Sequence, residues 1–237
     1  MTRLRVATYN IRHGRGLDGA VDLHGTAEAI TQTGAEVVAL QEVDRLTERT
    51  GGLDEPARLQ ELTGLKVAFW PTLEMETGTF GLAIAARSTF DARYEPLQRH
   101  EGERPHGVVV AQVSGIYFLC THLSRIPSVR KAETRQLAGI ARGLPGPVVV
   151  AGDLNQGRRE LRSVERMGLI GDRKRRLTFP SRLPMRQIDH ILAGSGARIG
   201  KSWTIRSLAS DHLPLVAEVE FTERGAQSAR RFAGADR

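Results

Sequence analysis

Several short apolar runs in this sequence close on a carboxylate, an amide or an imidazole, and this repeated step limits what the chain can fold into. RLRVATYN closes at Asn10, EVVALQE at Glu42, and the run from Ile116 to Thr121 gives way to His122. PVVVAG leads into Asp153 and Asn155, Asp189 and His190 lie within the run around Ile188–Leu192, and Asp211 and His212 precede Pro214–Phe221. An apolar strand buries its body, while its end opens at the edge of a sheet. Polar groups from several strand ends therefore converge on one floor, and in α/β proteins that edge is where sites form.

The segments between these runs predict helices and turns. Asp22 is placed to cap a helix reaching about Thr33, with Gly34 as its stop. Asp54–Leu62, Ser128–Leu144 and the basic stretch Arg158–Met167 read as further helices. Short strands are expected near Lys66–Trp70, Phe80–Arg87 and Ile199–Ile205. Ser114-Gly115 joins Val108–Val113 to Ile116–Thr121 as a hairpin. With 40% hydrophobic and 26% charged residues over 237 positions, the chain can bury a large core and is neither disordered nor fibrous. The one cysteine, Cys120, excludes an intrachain disulfide framework and a Cys-rich zinc site and is expected as inert packing. No run approaches the length of a spanning helix. Met1 to Arg5 leads into a strand and not into an apolar leader, so a cytoplasmic, monomeric protein is expected. One domain is expected over residues 1–222, followed by a polar, flexible tail over 223–237.

Each strand-end residue has two readings when taken singly. Asp153 and Asn155 either polarise and orient a water or form a tight Asx turn. Glu42 either holds a hard cation such as Mg²⁺ or pairs with an arginine such as Arg45. Asn10 either steadies Glu42 and a metal or phosphate, or ends its strand in a turn. His122 and His212 suit proton transfer or stabilisation of a developing phosphoryl charge, and a lone histidine also serves structure. Asp189 is positioned by order and type to orient His212. A serine nucleophile elbow and a Walker loop are both absent, and Gly14-x-Gly16 lacks the third glycine of a dinucleotide fingerprint.

Taken in order, ATYNIRHGRG, VVALQEVD, GLAIAAR, THLS, VVVAGDLNQG, FPSRLPMRQIDHIL and SDHLPLVAEV resemble the endonuclease/exonuclease/phosphatase superfamily over nearly the whole chain. The resemblance implies a four-layer α/β/β/α sandwich, with two mixed sheets packed face to face and helices outside. It implies Mg²⁺- or Mn²⁺-dependent attack of water on a phosphate ester. Under it Glu42 is the main metal ligand, Asn10 supports metal and phosphate, and Asp211 is a second carboxylate at the metal. Asp153 activates the water and Asn155 positions it. His212, oriented by Asp189, stabilises the transition state, and His122 contacts the phosphate. Arg104 in GERPHGV loosely resembles a phosphate-contacting arginine.

Two departures matter. Arg12 stands where apurinic endonucleases often carry an acidic residue, and His190 where an aromatic is common. The pattern is closer to general bacterial metal-dependent hydrolases. Substrate choice rests on charge. The formal net charge is +7, and lysine occurs only at Lys66, Lys131, Lys174 and Lys201, so thirty of the thirty-four basic residues are arginine. This reflects either codon usage or a polyanionic substrate. Arg173, Arg175 and Arg176 follow GDLNQG closely, and they read either as a nucleic-acid backbone contact or as a solvated face. A phosphodiesterase or nuclease-like activity is expected. The alternatives are a lipid head group, an inositol phosphate or a small soluble ester as substrate, or a non-catalytic phosphate-binding module.

Overall fold

The computed structural model describes residues 2–222, and the expected tail at 223–237 lies outside the described residues. Among the described residues, twelve strands form two six-stranded mixed sheets. The first contains β1 (Thr2–Asn10), β2 (Val37–Arg45), β3 (Lys66–Glu74), β4 (Thr79–Ala86), β11 (Ala197–Thr204) and β12 (Leu215–Phe221), in the order β11-β12-β1-β2-β4-β3. The second contains β5 (Asp91–Pro96), β6 (Gly107–Val113), β7 (Ile116–His122), β8 (Val148–Asp153), β9 (Ile170–Gly171) and β10 (Asp189–Ala193), in the order β5-β6-β7-β8-β10-β9. Each sheet has a single parallel pair at its centre, β1–β2 and β7–β8, flanked by antiparallel neighbours.

A parallel pair needs a crossover, and helices supply both. The crossover between β1 and β2 carries α1 (Leu23–Thr33), whose cap Asp22 accepts from the His24 amide at 2.9 Å and whose stop is Gly34 at φ 59°. The crossover between β7 and β8 carries α3 (Pro127–Arg142). Two further helices, α2 (Glu55–Thr63) and α4 (Arg158–Glu165), complete the outer layers. Leu23, Ala27 and Ile30 of α1 pack on Val38 and Leu40 of β2, and Leu137 and Ala141 of α3 pack on Val148 and Val150 of β8. Between the sheets, Val6, Ala39 and Ile84 meet Val109, Phe118, Val149 and Ala151. The result is the four-layer α/β/β/α sandwich that the sequence resemblance implies. Among the described residues no helix is long and apolar enough to cross a membrane.

Strand alternation explains where the interior turns polar. Successive side chains on a strand face opposite sides. Val6 faces the inter-sheet core, so Thr8 and Asn10 follow on that face. Val149 and Ala151 are likewise followed by Asp153, and Phe118 and Cys120 by His122. β2 breaks the pattern. Its pairing with β4 slips between Gln41 and Val43, and Glu42 sits there as the extra residue at φ 56°. The expected strand stopped at Glu42; the observed one passes through this bulge and ends at Arg45. β5 has no counterpart in the sequence pattern, because DARYEP carries no apolar run.

Candidate active site

Register places the last inward residues of the central strands at one edge. His122 and Asp189 both pair with Asp153, and Asn10 pairs with Gln41, the residue before the bulge. β12 runs antiparallel to β1 with Leu215 opposite Thr8, so Asp211 and His212 arrive at the same edge just before that strand begins. A cavity of about 360 Å³ opens there, with Glu42, His122, Asp153, Asn155, Asp211 and His212 in its wall. A second cavity of about 700 Å³, walled by Asp18, Asp22, Arg182 and Arg206 among others, contains none of the expected site residues.

Asp153 is the hub. Its Oδ2 accepts from Asn10 Nδ2 at 3.3 Å and lies 3.4 Å from His122 Nε2 and 3.8 Å from His212 Nε2. Its Oδ1 accepts from the Asn155 amide at 2.9 Å. The Asx turn is therefore present, and it also delivers Asn155 to the cavity. Asn155 stands at φ 51°, a conformation asparagine tolerates better than most residues, and its Nδ2 donates to the Leu123 carbonyl at 2.9 Å. Asn10 Nδ2 donates a second time, to Glu42 Oε1 at 3.0 Å, so one amide ties the two carboxylates together. His212 Nδ1 donates to Asp189 Oδ2 at 2.9 Å, and its ring lies on Phe179 at a centroid distance of 4.9 Å. Ser210 Oγ donates to the Asn10 carbonyl at 2.8 Å and lies 3.4 Å from Asp211 Oδ1, linking Asp211 to this group. Arg12 Nε approaches Asp211 Oδ2 at 3.8 Å.

The two histidines are driven in opposite directions. Burial, reinforced by the Arg104 guanidinium, pushes His122 well below the ordinary imidazole range, so it is neutral. Burial opposes charge on His212 too, but Asp189, through its charge and hydrogen bond, and then Asp153 lift it above that range and keep it an imidazolium. Asp153 is raised above the usual carboxylate range, first by burial and then by the charge of Asp189.

Asp153, Asp189 and His212 offer ligand atoms within 4.8 Å of one another, an arrangement compatible with a metal ion. Asp189 Oδ1 is buried with no hydrogen-bond partner. Because His212 Nδ1 is committed to Asp189 and its acidic neighbours favour the charged ring, the oxygen donors around it suit a cation better than its ring does. Glu42, tied to this group by Asn10 Nδ2, and Asp211 extend the oxygen-rich set, which fits a hard divalent ion.

Arg104 lines the cavity, as the sequence suggests, with Nη2 3.2 Å from His122 Nδ1. Arg173, Arg175 and Arg176 are not brought to it. After GDLNQG the chain runs through α4 to β9, which pairs with Leu192 and Ala193, the end of β10 opposite Asp189. Arg176 Nε donates to Ser202 Oγ at 3.0 Å and Nη2 reaches Asp172 at 3.4 Å, while Arg175 Nη2 donates to the Met185 carbonyl. His190 faces away as well, with Nε2 2.8 Å from the Gln156 carbonyl. Sequence reasoning missed Glu103, His106, Arg125 and Arg186 in the cavity wall. Arg186 lies inside the quoted FPSRLPMRQIDHIL segment and His106 two residues after Arg104, so their positions carried a signal that was not used.

The fold is an α/β sandwich that gathers carboxylates, an amide and two imidazoles on one edge. The chain belongs to the Endonuclease/Exonuclease/phosphatase family, whose model matches residues 7–212. Solved structures share the fold. A family protein from Beutenbergia cavernae superposes with a TM-score of 0.75 at 24% identity, covering 93% of this chain and 72% of that one. A mannosyl-6-phosphatase from Bacteroides thetaiotaomicron gives 0.72 at 15% identity, covering 92% and 100%. Truncated TDP2 from Caenorhabditis elegans gives 0.66 at 20% identity, covering 93% and 98%. No curated protein sequence matches the chain.

Proposed function

We propose that this chain is a Mg²⁺- or Mn²⁺-dependent hydrolase of phosphate esters, acting on phosphodiesters in a nuclease-like manner as a cytoplasmic monomer with a single domain over residues 1–222. The observation that carries this reading is Asp153, held between a neutral His122 and a charged His212 on the floor of an open cavity. Glu42, Asn10 and Asp211 would hold the ion. When bound, it supplies charge neutralisation to phosphoryl oxygens.

The remaining roles belong to the chain's own side chains. Asp153, a buried carboxylate raised above its usual range, accepts a proton from the attacking water. Asn155 is fixed beside it by the Asx turn and orients that water. The His212 imidazolium, locked by Asp189 in the orientation that points Nε2 toward Asp153, meets charge developing on the phosphoryl group. Arg104 and His122 bind the phosphate from the opposite wall. The similar folds of a mannosyl-6-phosphatase and TDP2 fit a phosphate ester without choosing the substrate. The +7 charge favours a polyanion, so nucleic acid leads among the candidates.

The test is turnover of bis-p-nitrophenyl phosphate. The wild type is expected to need Mg²⁺ or Mn²⁺, and Asp153→Ala and His212→Ala each to lose about 10²–10⁴-fold in rate. Equal rates in all three proteins would end the reading. A panel of plasmid DNA, abasic duplex, RNA, inositol phosphates, phospholipids and mononucleotides then ranks the substrates.

A further inference from the structure

Beside the reacting cluster lies a second buried carboxylate–imidazole pair that the proposed chemistry does not use. Glu133 on α3 and His106, just before β6, have side-chain exposures of 1% and 5%, and His106 Nδ1 lies 2.6 Å from Glu133 Oε1. Glu133 Oε2 accepts from the Ser124 amide at 2.8 Å, so both oxygens of this carboxylate are engaged. A carboxylate at that distance fixes the tautomer: Nδ1 carries the proton and donates it, and Nε2 keeps a lone pair. Arg104 Nε donates to that lone pair at 3.1 Å.

The consequence falls on Arg104. Its Nε is held by His106, its Nη2 lies 3.2 and 3.3 Å from the two ring nitrogens of His122, and its guanidinium rests on the Phe80 ring at 5.0 Å. Nη1 makes no hydrogen bond among the described residues, and Arg104 lines the catalytic cavity. A free arginine side chain samples many rotamers, and ordering it on a ligand costs binding free energy. Here the ordering is complete before any phosphate arrives.

We propose that Glu133 and His106 are positioning residues, a buried relay that presets the Arg104 guanidinium as a phosphate-binding fork at the cavity. The inference rests on the phosphate-ester reading for its purpose, but the relay itself is a matter of hydrogen bonding and is measured separately. Its rival is a purely structural pin between α3 and the segment leading into β6, and the two differ in what happens at Arg104.

Two conservative variants separate them. In His106→Gln the amide oxygen takes the place of Nε2 and still accepts from Arg104. In His106→Asn the amide nitrogen takes the place of Nδ1, keeps the bond to Glu133 and releases Arg104. The relay predicts an arginine Nε–H NMR signal, protected from exchange, that is assigned to Arg104 by its loss in Arg104→Met and shifts on addition of inorganic phosphate. It persists in His106→Gln and disappears in His106→Asn. In turnover of bis-p-nitrophenyl phosphate, His106→Asn raises KM roughly 10-fold, the scale on which supporting residues act, and His106→Gln, which keeps the bond from Arg104 but loses the one to Glu133, raises it less. Combined with Arg104→Met, His106→Asn adds no further loss. A protected signal and unchanged KM in His106→Asn, or losses that add in the double variant, would overturn the relay.

One measurement needs no variant. The ring ¹⁵N shifts of His106 in the wild type must report protonated Nδ1 and unprotonated Nε2, and the opposite tautomer refutes the proposal. If the wild type shows no metal-dependent turnover while the Arg104 signal still depends on His106 and responds to phosphate, the enzymatic reading has failed and the relay stands.

Discussion

At Glu42 the backbone takes a left-handed conformation that costs a non-glycine residue about 1 kcal/mol. The bulge that demands it turns the carboxylate from the strand toward the cavity, where it shares the Asn10 amide with Asp153. Stability and activity therefore conflict at this residue. Glu42→Gly is expected to raise the unfolding free energy of the metal-free protein by about 1 kcal/mol, through relief of backbone strain and of carboxylate crowding, while abolishing turnover. Urea unfolding paired with a rate assay checks both signs, and a variant that loses stability would show that the bulge is not strained. Glu55 gives a pH-dependent case. Burial, the dominant effect, pushes its carboxyl from 4.5 up to about 8, although the Asp44 amide donates to Oε2 at 2.8 Å. Between these values the folded chain holds a proton that the unfolded chain has lost. Stability is thus full below about pH 4.5 and falls as pH rises through about 8. Glu55→Gln should flatten that slope and be the more stable protein near pH 9, read by urea melts at several pH values. An unchanged slope would contradict it. The residue scale is also where the sequence was most informative. His122 and Asp153 announced themselves because each is the next inward position after apolar ones on its strand, and Asn10 because it closes an apolar run. Glu42 was legible as a carboxylate at a strand end, but a bulge has no signature in alternation. The pairing of Glu133 with His106 was invisible because it joins residues 27 apart in sequence.

Among the elements, the parallel pair β7–β8 carries a tight steric requirement beside the site. A Cβ on Gly152 would lie 2.1 Å from the Thr121 carbonyl oxygen, a backbone atom that cannot give way without moving the strand. Gly152→Ala is expected to cost about 1–3 kcal/mol or more in stability. It should also depress kcat, because Asp153 is the next residue and pairs with His122 across that same ladder. Urea unfolding and turnover measure the two effects, and a stable, fully active variant would mean that the site does not depend on this close approach. Most elements were legible because their apolar spacing is regular and their caps are conventional, as with Asp22 and Gly34 around α1. The exceptions have local causes. β5 is an edge strand without an apolar run, and β9 has only two residues. The basic segment after GDLNQG looked close to the site because it is close in sequence. Instead, α4 carries the chain to the far end of β10, and Arg176 is spent on Asp172 and Ser202.

The whole molecule repeats one scheme twice. Each sheet reads antiparallel, antiparallel, parallel, antiparallel, antiparallel, and each parallel pair is joined through an outer helix. Packed face to face, the two sheets bring both parallel pairs to one edge, so Asn10 and the Glu42 bulge from one sheet face His122 and Asp153 from the other. That convergence is a property of the fold, which explains why the family was readable while the substrate was not: the shared floor lies on strands, and the surrounding walls lie on loops. The central claim is that these distant residues form one cation site. The most direct test is anomalous diffraction from crystals of the full chain grown with Mn²⁺. The expected result is a manganese peak in the cavity within bonding distance of Glu42 and Asp211, lost in Glu42→Gln. Manganese bound elsewhere, or a cavity that takes none at millimolar concentration, would contradict it.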